Sequence, residues 1–392
     1  MNKTNRLRSA KLLVKCLENE GVEYIFGIPG EENIGVMDAL LDSNIRFIIT
    51  RHEQGAAFMA DVYGRLTGRA GVCMSTLGPG ATNLVTGVAD GNMDRAPMVA
   101  IAGQGATTRM HKESHQVLDL VNLFDPITKY SVQIREPEIV PEIVRKAFKF
   151  AQTEKPGAAF LDFPENVAEM EIDYVEPLRV QQPVPPQAAA GKCRQVAEMI
   201  DKAENPIIIA GNGVIRHNAC DALLNLAETV NIPVATTFMA KGAIPSSHPL
   251  SLGTVGLKAH DLIAFGIEEA DLVLCIGYDI VEYDPAYRNP RLEERNIHID
   301  GSPAEVDTHY IVEAGVVGDL TDSMNRIASR CDQDKNKAMP ELRKKIVKEL
   351  NRHADDLSHP IKPQKIIYDL RKAMNPEDIV ISDVGAHKMW MA

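Results

Sequence analysis

Short, uninterrupted apolar runs recur along this chain, each separated from the next by a stretch long enough for a helix. The first are Tyr24-Ile25-Phe26-Gly27-Ile28, Phe47-Ile48-Ile49, Val72-Cys73-Met74, Met98-Val99-Ala100-Ile101-Ala102 and Ala158-Ala159-Phe160-Leu161. A strand with one wet face alternates polar and apolar residues. A strand buried on both faces has no need to alternate and reads as a continuous apolar run. The stretches near 33–42, 53–67, 81–92 and 138–152 read as helices between these strands. Buried strands joined through helices make a parallel sheet with helices on both faces. The expected fold class is α/β, built of doubly wound parallel-sheet domains.

The pattern divides the chain. Residues 1–170 read as the first domain. Over 171–190 the apolar period stops, and Gln181-Gln182-Pro183-Val184-Pro185-Pro186-Gln187 reads as a linker. A second, Rossmann-like domain is expected over 191–335, with strands at 206–210, 232–235, 272–276, 296–299 and 315–318. Residues 336–362 are charge-rich and read as a helical linker ending near His359-Pro360. Residues 363–392 open a third α/β domain, with a helix near 364–373 and a strand over Asp378-Ile379-Val380-Ile381-Ser382. One helix and one strand cannot bury a core of their own. The third domain is therefore expected to be cut short, and the chain to be a fragment of a longer protein.

Composition excludes several functions. The 392 residues carry 42 Lys+Arg against 54 Asp+Glu, a formal charge of −12. A nucleic-acid backbone binder needs concentrated positive charge, so no nucleic-acid partner is expected. No apolar run reaches the length of a membrane span, and the N-terminus shows no secretory signal. Six cysteines, at 16, 73, 193, 220, 275 and 331, have neither CxxC nor zinc spacing. They read as reduced core thiols of a cytoplasmic protein.

Chemistry-bearing residues cluster in the strand-to-helix turns of the first domain: Gly27-Ile28-Pro29-Gly30, Arg51-His52-Glu53-Gln54, Ser75-Thr76-Leu77-Gly78-Pro79-Gly80-Ala81-Thr82-Asn83 and Gly103-Gln104-Gly105. All four fall on the carboxyl edge of one parallel sheet, where α/β proteins bind ligands. Glu53 is followed by Gly55-Ala56-Ala57, and a carboxylate facing such surroundings is costly as an anion. In the second domain, Gly211-Asn212-Gly213 follows a clean strand in the manner of a dinucleotide turn. Its third glycine position is Arg216, however, and the next strand ends without the acid that would hold a ribose. A Rossmann-like fold without a dinucleotide is the expectation there.

Taken together, Gly27-Ile28-Pro29-Gly30, Arg51-His52-Glu53-Gln54, Gly78-Pro79-Gly80-Ala81-Thr82-Asn83 and Pro126-Ile127-Thr128-Lys129 resemble the thiamine-diphosphate-dependent acetolactate synthases. Lys155-Pro156-Gly157, Leu161-Asp162-Phe163-Pro164 and Thr236-Thr237-Phe238-Met239-Ala240-Lys241-Gly242 extend the resemblance to nearly the whole chain, and Asp383-Val384-Gly385-Ala386-His387 resembles the start of that family's diphosphate-binding domain.

The resemblance implies a pyrimidine-binding domain, a central Rossmann-like domain and the start of a diphosphate-binding domain, in a homodimer or homotetramer. It implies that Glu53 hydrogen-bonds N1′ of the aminopyrimidine, and that Pro29, Gly30, Thr76, Pro79 and Asn83 contact the same ring. Gln116 would stand beside the thiazolium and substrate. His115 replaces the phenylalanine usual in biosynthetic members and is similar to the catabolic type. Ala386 and His387 would touch the diphosphate. The Mg²⁺ ligands would lie outside this chain, so these residues alone are not expected to turn over. Lys155 and the run from Ile276 to Pro285 resemble the FAD-independent type, so FAD is not expected. The implied substrate is pyruvate or a related 2-keto acid, and the implied product of two pyruvates is 2-acetolactate. Another decarboxylase, oxidase or carboligase of the same scaffold, or a catalytically incompetent fragment, stays open, as do the second keto acid and the choice between biosynthetic and catabolic roles.

Overall fold

The computed structural model describes residues 6–181, 183–256, 261–289, 295–332 and 339–391. The chain forms two compact units that divide after Pro183. In the first, the strands are β1 (Arg6–Arg8), β2 (Tyr24–Gly27), β3 (Arg46–Ile49), β4 (Gly71–Ser75), β5 (Met98–Gln104), β6 (Tyr130–Gln133), β7 (Ala158–Pro164) and β8 (Glu171–Asp173). Six of them make a parallel sheet in the order β3-β2-β4-β5-β7-β6. The remaining two, β1 and β8, pair antiparallel, so residues 171–173, read from sequence as the start of a linker, belong to a strand.

Alternate residues of the central strands face opposite cores. Ile25, Val72, Met74, Val99, Ile101 and Leu161 pack under helices Ser9–Asn19 and Val140–Gln152. Phe26, Cys73, Ala100, Ala102 and Phe160 pack on the other face, with helices Glu53–Thr67 and Pro79–Met93. Both sets are apolar because both faces are dry, which is why these strands read as unbroken runs. The edge strand β6 carries Tyr-Ser-Val-Gln, all half-buried, and shows no such run.

In the second unit, β9 (Pro206–Ala210), β10 (Val234–Thr236), β11 (Ser251–Thr254), β12 (Leu272–Ile276), β13 (Asn296–Asp300) and β14 (Val312–Val317) form a parallel sheet in the order β11-β10-β9-β12-β13-β14. Chain direction across this sheet reverses between β9 and β12, as in doubly wound folds. β10 starts at Val234, later than the apolar pattern suggests, because Pro233 has no N–H to give a ladder. β11 is a short edge strand and was not legible as an apolar run.

One expectation fails in the last segment. The helix forms, over Pro363–Ala373, but residues 378–382 make no strand. Ile379 and Ile381 are about nine-tenths exposed, 88% and 91%. A strand exists only through its ladder, and among the described residues none pairs with this stretch. No disulfide joins the cysteines, and burial pushes the Cys16 and Cys73 thiols up to about 12. No helix of the described residues is long and apolar enough to cross a membrane.

The first core holds a stacked aromatic pair, Phe124 and Phe160, with ring centroids 3.9 Å apart and planes 4° from parallel. Both rings are fully buried. Phe160→Ala is expected to cost about 3–5 kcal/mol in unfolding free energy, read from a denaturant titration; a loss near zero means this core does not pack as described.

Candidate functional site

In the first unit the chain reverses between β2 and β4: β3 lies on one side and β5 on the other. Such a reversal opens a crevice at the carboxyl ends of the two strands. The turns after β2, β3 and β4 bring most of the expected residues there.

Glu53 is the first residue of helix Glu53–Thr67. Its entry is set by His52, whose Nδ1 accepts from the Gln54 N–H at 3.1 Å. The Glu53 side chain is buried, the residue only 9% exposed. Asn83, one turn into helix Pro79–Met93, donates through Nδ2 to Glu53 Oε2 at 2.9 Å. No cation is ion-paired to Glu53 among the described residues. The other oxygen, Oε1, faces Gly80: a β-carbon there would stand 3.3 Å from it and 3.1 Å from Thr76 Cγ2.

Gly30 meets the same threonine. A β-carbon at position 30 would lie 2.7 Å from Thr76 Cβ, so only glycine lets the two turns come this close. The Gly30 N–H donates to Asn33 Oδ1 at 2.9 Å, and Thr76 Oγ1 donates to Glu32 Oε2 at 2.5 Å. Glu32 ties the β2 turn to the β4 turn and was not singled out from sequence; its only signal is its place two residues past Gly30. Pro29 and Pro79 are exposed at the rims of these turns.

The segment 105–119 folds back onto the same edge. Gly78 has φ +56°, and a β-carbon there would stand 2.7 Å from Gln116 Cβ. Gln116 itself has φ +57°, rare for a residue with a side chain. The structure thus sets Gln116 against the turn that holds Pro79, with His115 exposed beside it. Below the loop lie buried Gln104 and Asp162 and half-buried Gln133, none of which the sequence singled out as a site residue. Gln104 Nε2 donates to the Leu118 carbonyl at 3.0 Å and its Oε1 accepts from the Gly105 N–H at 3.0 Å. Gln133 Nε2 donates to Asp162 Oδ2 at 2.7 Å.

Ala386 and His387 belong to the second unit, where they open the short helix Ala386–Met391 and are exposed. In that unit, the crevice between β9 and β12 is filled by the protein itself. The Gly213 N–H donates to the Gly277 carbonyl at 2.7 Å, and a β-carbon at Gly211 would stand 2.4 Å from that same oxygen. The Glu282 carboxylate accepts from the Asn212 N–H at 2.9 Å, from Thr237 Oγ1 at 2.5 Å and from the Asp279 N–H at 3.2 Å. A carboxylate therefore sits on the amide that a dinucleotide turn would offer to a phosphate.

Residues 7–123 match the N-terminal TPP binding domain of thiamine pyrophosphate enzymes, and residues 193–327 match their central domain. The chain is 40% identical over 408 aligned positions to the probable acetolactate synthase large subunit of Methanocaldococcus jannaschii, a match covering 98% of this chain and 68% of that protein. It is 36% identical to the acetolactate synthase of Bacillus subtilis, covering 98% of this chain and 69% of that one. Against the acetolactate synthase large subunit of Corynebacterium glutamicum the identity is 34%, over 99% of this chain and 64% of that one. The chain belongs to the acetolactate synthase family of thiamine pyrophosphate enzymes. The first matched segment holds the crevice residues Glu53, Thr76, Asn83 and Gln116; the second spans β9 to β14.

Asp162 provides a pH handle under this site. Burial pushes its carboxyl up to about 6, against the pull of hydrogen bonds from Gln133 and Gln104. Its folded value lies above the ordinary carboxyl range, so it favours folding below about pH 4 and that contribution is lost as pH rises through 6. Relative to Asp162→Asn, the native protein is expected to lose roughly 2–3 kcal/mol of unfolding free energy between about pH 4 and pH 7. Parallel pH profiles of native protein and variant, read by denaturant unfolding, would contradict this assignment.

Proposed function

We propose that this chain carries the pyrimidine side of a thiamine-diphosphate site and acts in the condensation of two pyruvates to 2-acetolactate. One observation carries the reading: Glu53 is a buried carboxyl with one oxygen fixed by Asn83 and the other turned toward glycine at the crevice between β2 and β4. The residues present fit an aminopyrimidine ring. A carboxyl can exchange a proton with a ring nitrogen, and glycine at 30 and 80 lets both turns close on Thr76, so that Glu53 and Thr76 stand together at the crevice with no bulkier side chain between them.

When bound, thiamine diphosphate supplies a carbon nucleophile and the electron sink that decarboxylation of a 2-keto acid requires. The protein's part is positioning and proton transfer. Glu53 holds and passes a proton at the pyrimidine N1′ position. Asn83 keeps the Glu53 carboxyl in one orientation by donating to Oε2. Pro29, Gly30, Thr76 and Pro79 border the ring, and the Thr76–Glu32 hydrogen bond keeps the two turns in register. Gln116, pressed against Gly78, serves the thiazolium side, and His115 hydrogen-bonds the keto acid's carboxylate or carbonyl. Ala386 and His387 contact the diphosphate of a cofactor whose pyrimidine ring is held by another subunit of the homo-oligomer, with Mg²⁺ held by ligands outside this chain. The assembly is a homodimer or homotetramer, in the cytoplasm. FAD has no place in this reading, which the filled crevice between β9 and β12 supports: the position for an anionic phosphate already holds the Glu282 carboxylate.

The test uses the polypeptide as the cell makes it, with thiamine diphosphate, Mg²⁺ and pyruvate. 2-Acetolactate is the expected product, and Glu53→Gln is expected to lower kcat about 10²- to 10⁴-fold with little change in folding stability. Acetaldehyde or acetyl phosphate as the product would assign a different reaction on this scaffold. Native turnover in Glu53→Gln would remove Glu53 from the chemistry.

A further inference from the structure

The loop from Gly105 to Asp119 has one turn of 3₁₀ helix, Thr107–Arg109, and otherwise no regular structure before helix Leu120–Phe124. It nevertheless holds Gln116 in a left-handed conformation against Gly78. A residue with a β-carbon is disfavoured in that conformation and stays there only if its surroundings impose it.

Three fasteners are visible. At the start of the loop, the Ala106 N–H donates to Glu165 Oε1 at 2.9 Å and the Thr107 N–H to Asn166 Oδ1 at 2.9 Å. Asn166 Nδ2 returns a bond to Thr107 Oγ1 at 3.0 Å. Glu165 and Asn166 open the helix that follows β7, so they are part of the rigid frame. At the far end, Gln104 holds the Leu118 carbonyl. Arg109 works between these ends. Its Nη1 pairs with Glu165 Oε1 at 3.2 Å, its Nε donates to Ser114 Oγ at 2.9 Å, and its Nη2 donates to the His115 carbonyl at 3.4 Å. Among the described residues, no other side chain bonds both the frame and the 114–115 stretch. The planar guanidinium can serve all three partners at once; a lysine ammonium at the end of a flexible stem cannot keep that geometry.

We infer that Arg109, latched to Glu165, is a positioning residue that sets the conformation of the His115–Gln116 segment. The segment's role in substrate handling rests on the function proposed above, whereas the latch itself is a statement about the fold. Opening it frees the loop between Met110 and Val117 while leaving Glu53, Asn83 and the crevice in place. Misplacing a substrate-facing group by about 1 Å can cost on the order of 100-fold in rate.

The experiment compares Arg109→Gln, Arg109→Lys and Glu165→Gln with the native protein, in the polypeptide as the cell makes it. Amide hydrogen exchange over 110–118 is expected to speed up about 10-fold or more in Arg109→Gln, with exchange in helix Glu53–Thr67 unchanged. The value of kcat/KM for pyruvate is expected to fall about 10- to 100-fold, while calorimetric affinity for thiamine diphosphate holds. Arg109→Lys keeps the charge but loses the fork, and is expected to show the same faster exchange; full rescue by lysine overturns the geometric role. Native exchange over 110–118 in both Arg109→Gln and Glu165→Gln overturns the latch. If Arg109→Gln does not fold, the lysine and Glu165 variants carry the same comparison. If the native protein makes no 2-acetolactate, the functional reading falls and the exchange data still decide the latch.

Discussion

A parallel strand cannot turn back through a hairpin, so each must be followed by a crossover that returns over one face of the sheet. Everything functional in the first unit follows from that constraint. Every turn that ends a strand and opens a helix falls on one edge. Where the strand order reverses, between β2 and β4, two such turns part and leave a crevice. Glu53 enters it at the head of one helix and Asn83 from the first turn and a half of another. The 2.9 Å bond between them joins the heads of two successive helices, 30 residues apart in the chain. Glycine at positions 30 and 80 then decides how close the walls stand, because Thr76 occupies the space on which both would otherwise intrude.

The second unit shows the same winding put to a different use. Its strand order also reverses, between β9 and β12, yet its crevice is packed with backbone and closed by Glu282. Three donors converge on that carboxylate, and burial raises its pKa against them. The same topology can thus leave an opening for a ligand or seal it with its own side chain. The difference lies in a few residues of the turns rather than in the sheet.

The loop from 105 to 119 illustrates how an irregular segment acquires a defined shape. Its ends are tied to buried residues of β5 and to the start of a helix, and its middle is reached by one arginine. The ties to the frame are not local in sequence: Arg109 and Glu165 are 56 residues apart. A charged pair that is about one-third exposed contributes little to global stability. Its importance lies in selecting one conformation for a segment that has many.

By itself the amino-acid sequence determined the class of fold, the central strands of both sheets and the positions of Glu53, Thr76 and Asn83 in turns on one edge, whereas Gln116 was singled out only by the family resemblance. These are legible because burial on both faces writes itself as continuous apolar runs, and because turn residues follow directly. The edge strands β6 and β11 left no such mark, since a half-buried strand need not be apolar. The run at 378–382 read as a strand for its composition alone, but composition supplies no partner, and no ladder forms. Only the tertiary structure decided that Glu32 meets Thr76, that Glu282 fills the second crevice and that Arg109 reaches Glu165. Each of these is a polar contact between distant residues, made by geometry that no local pattern encodes.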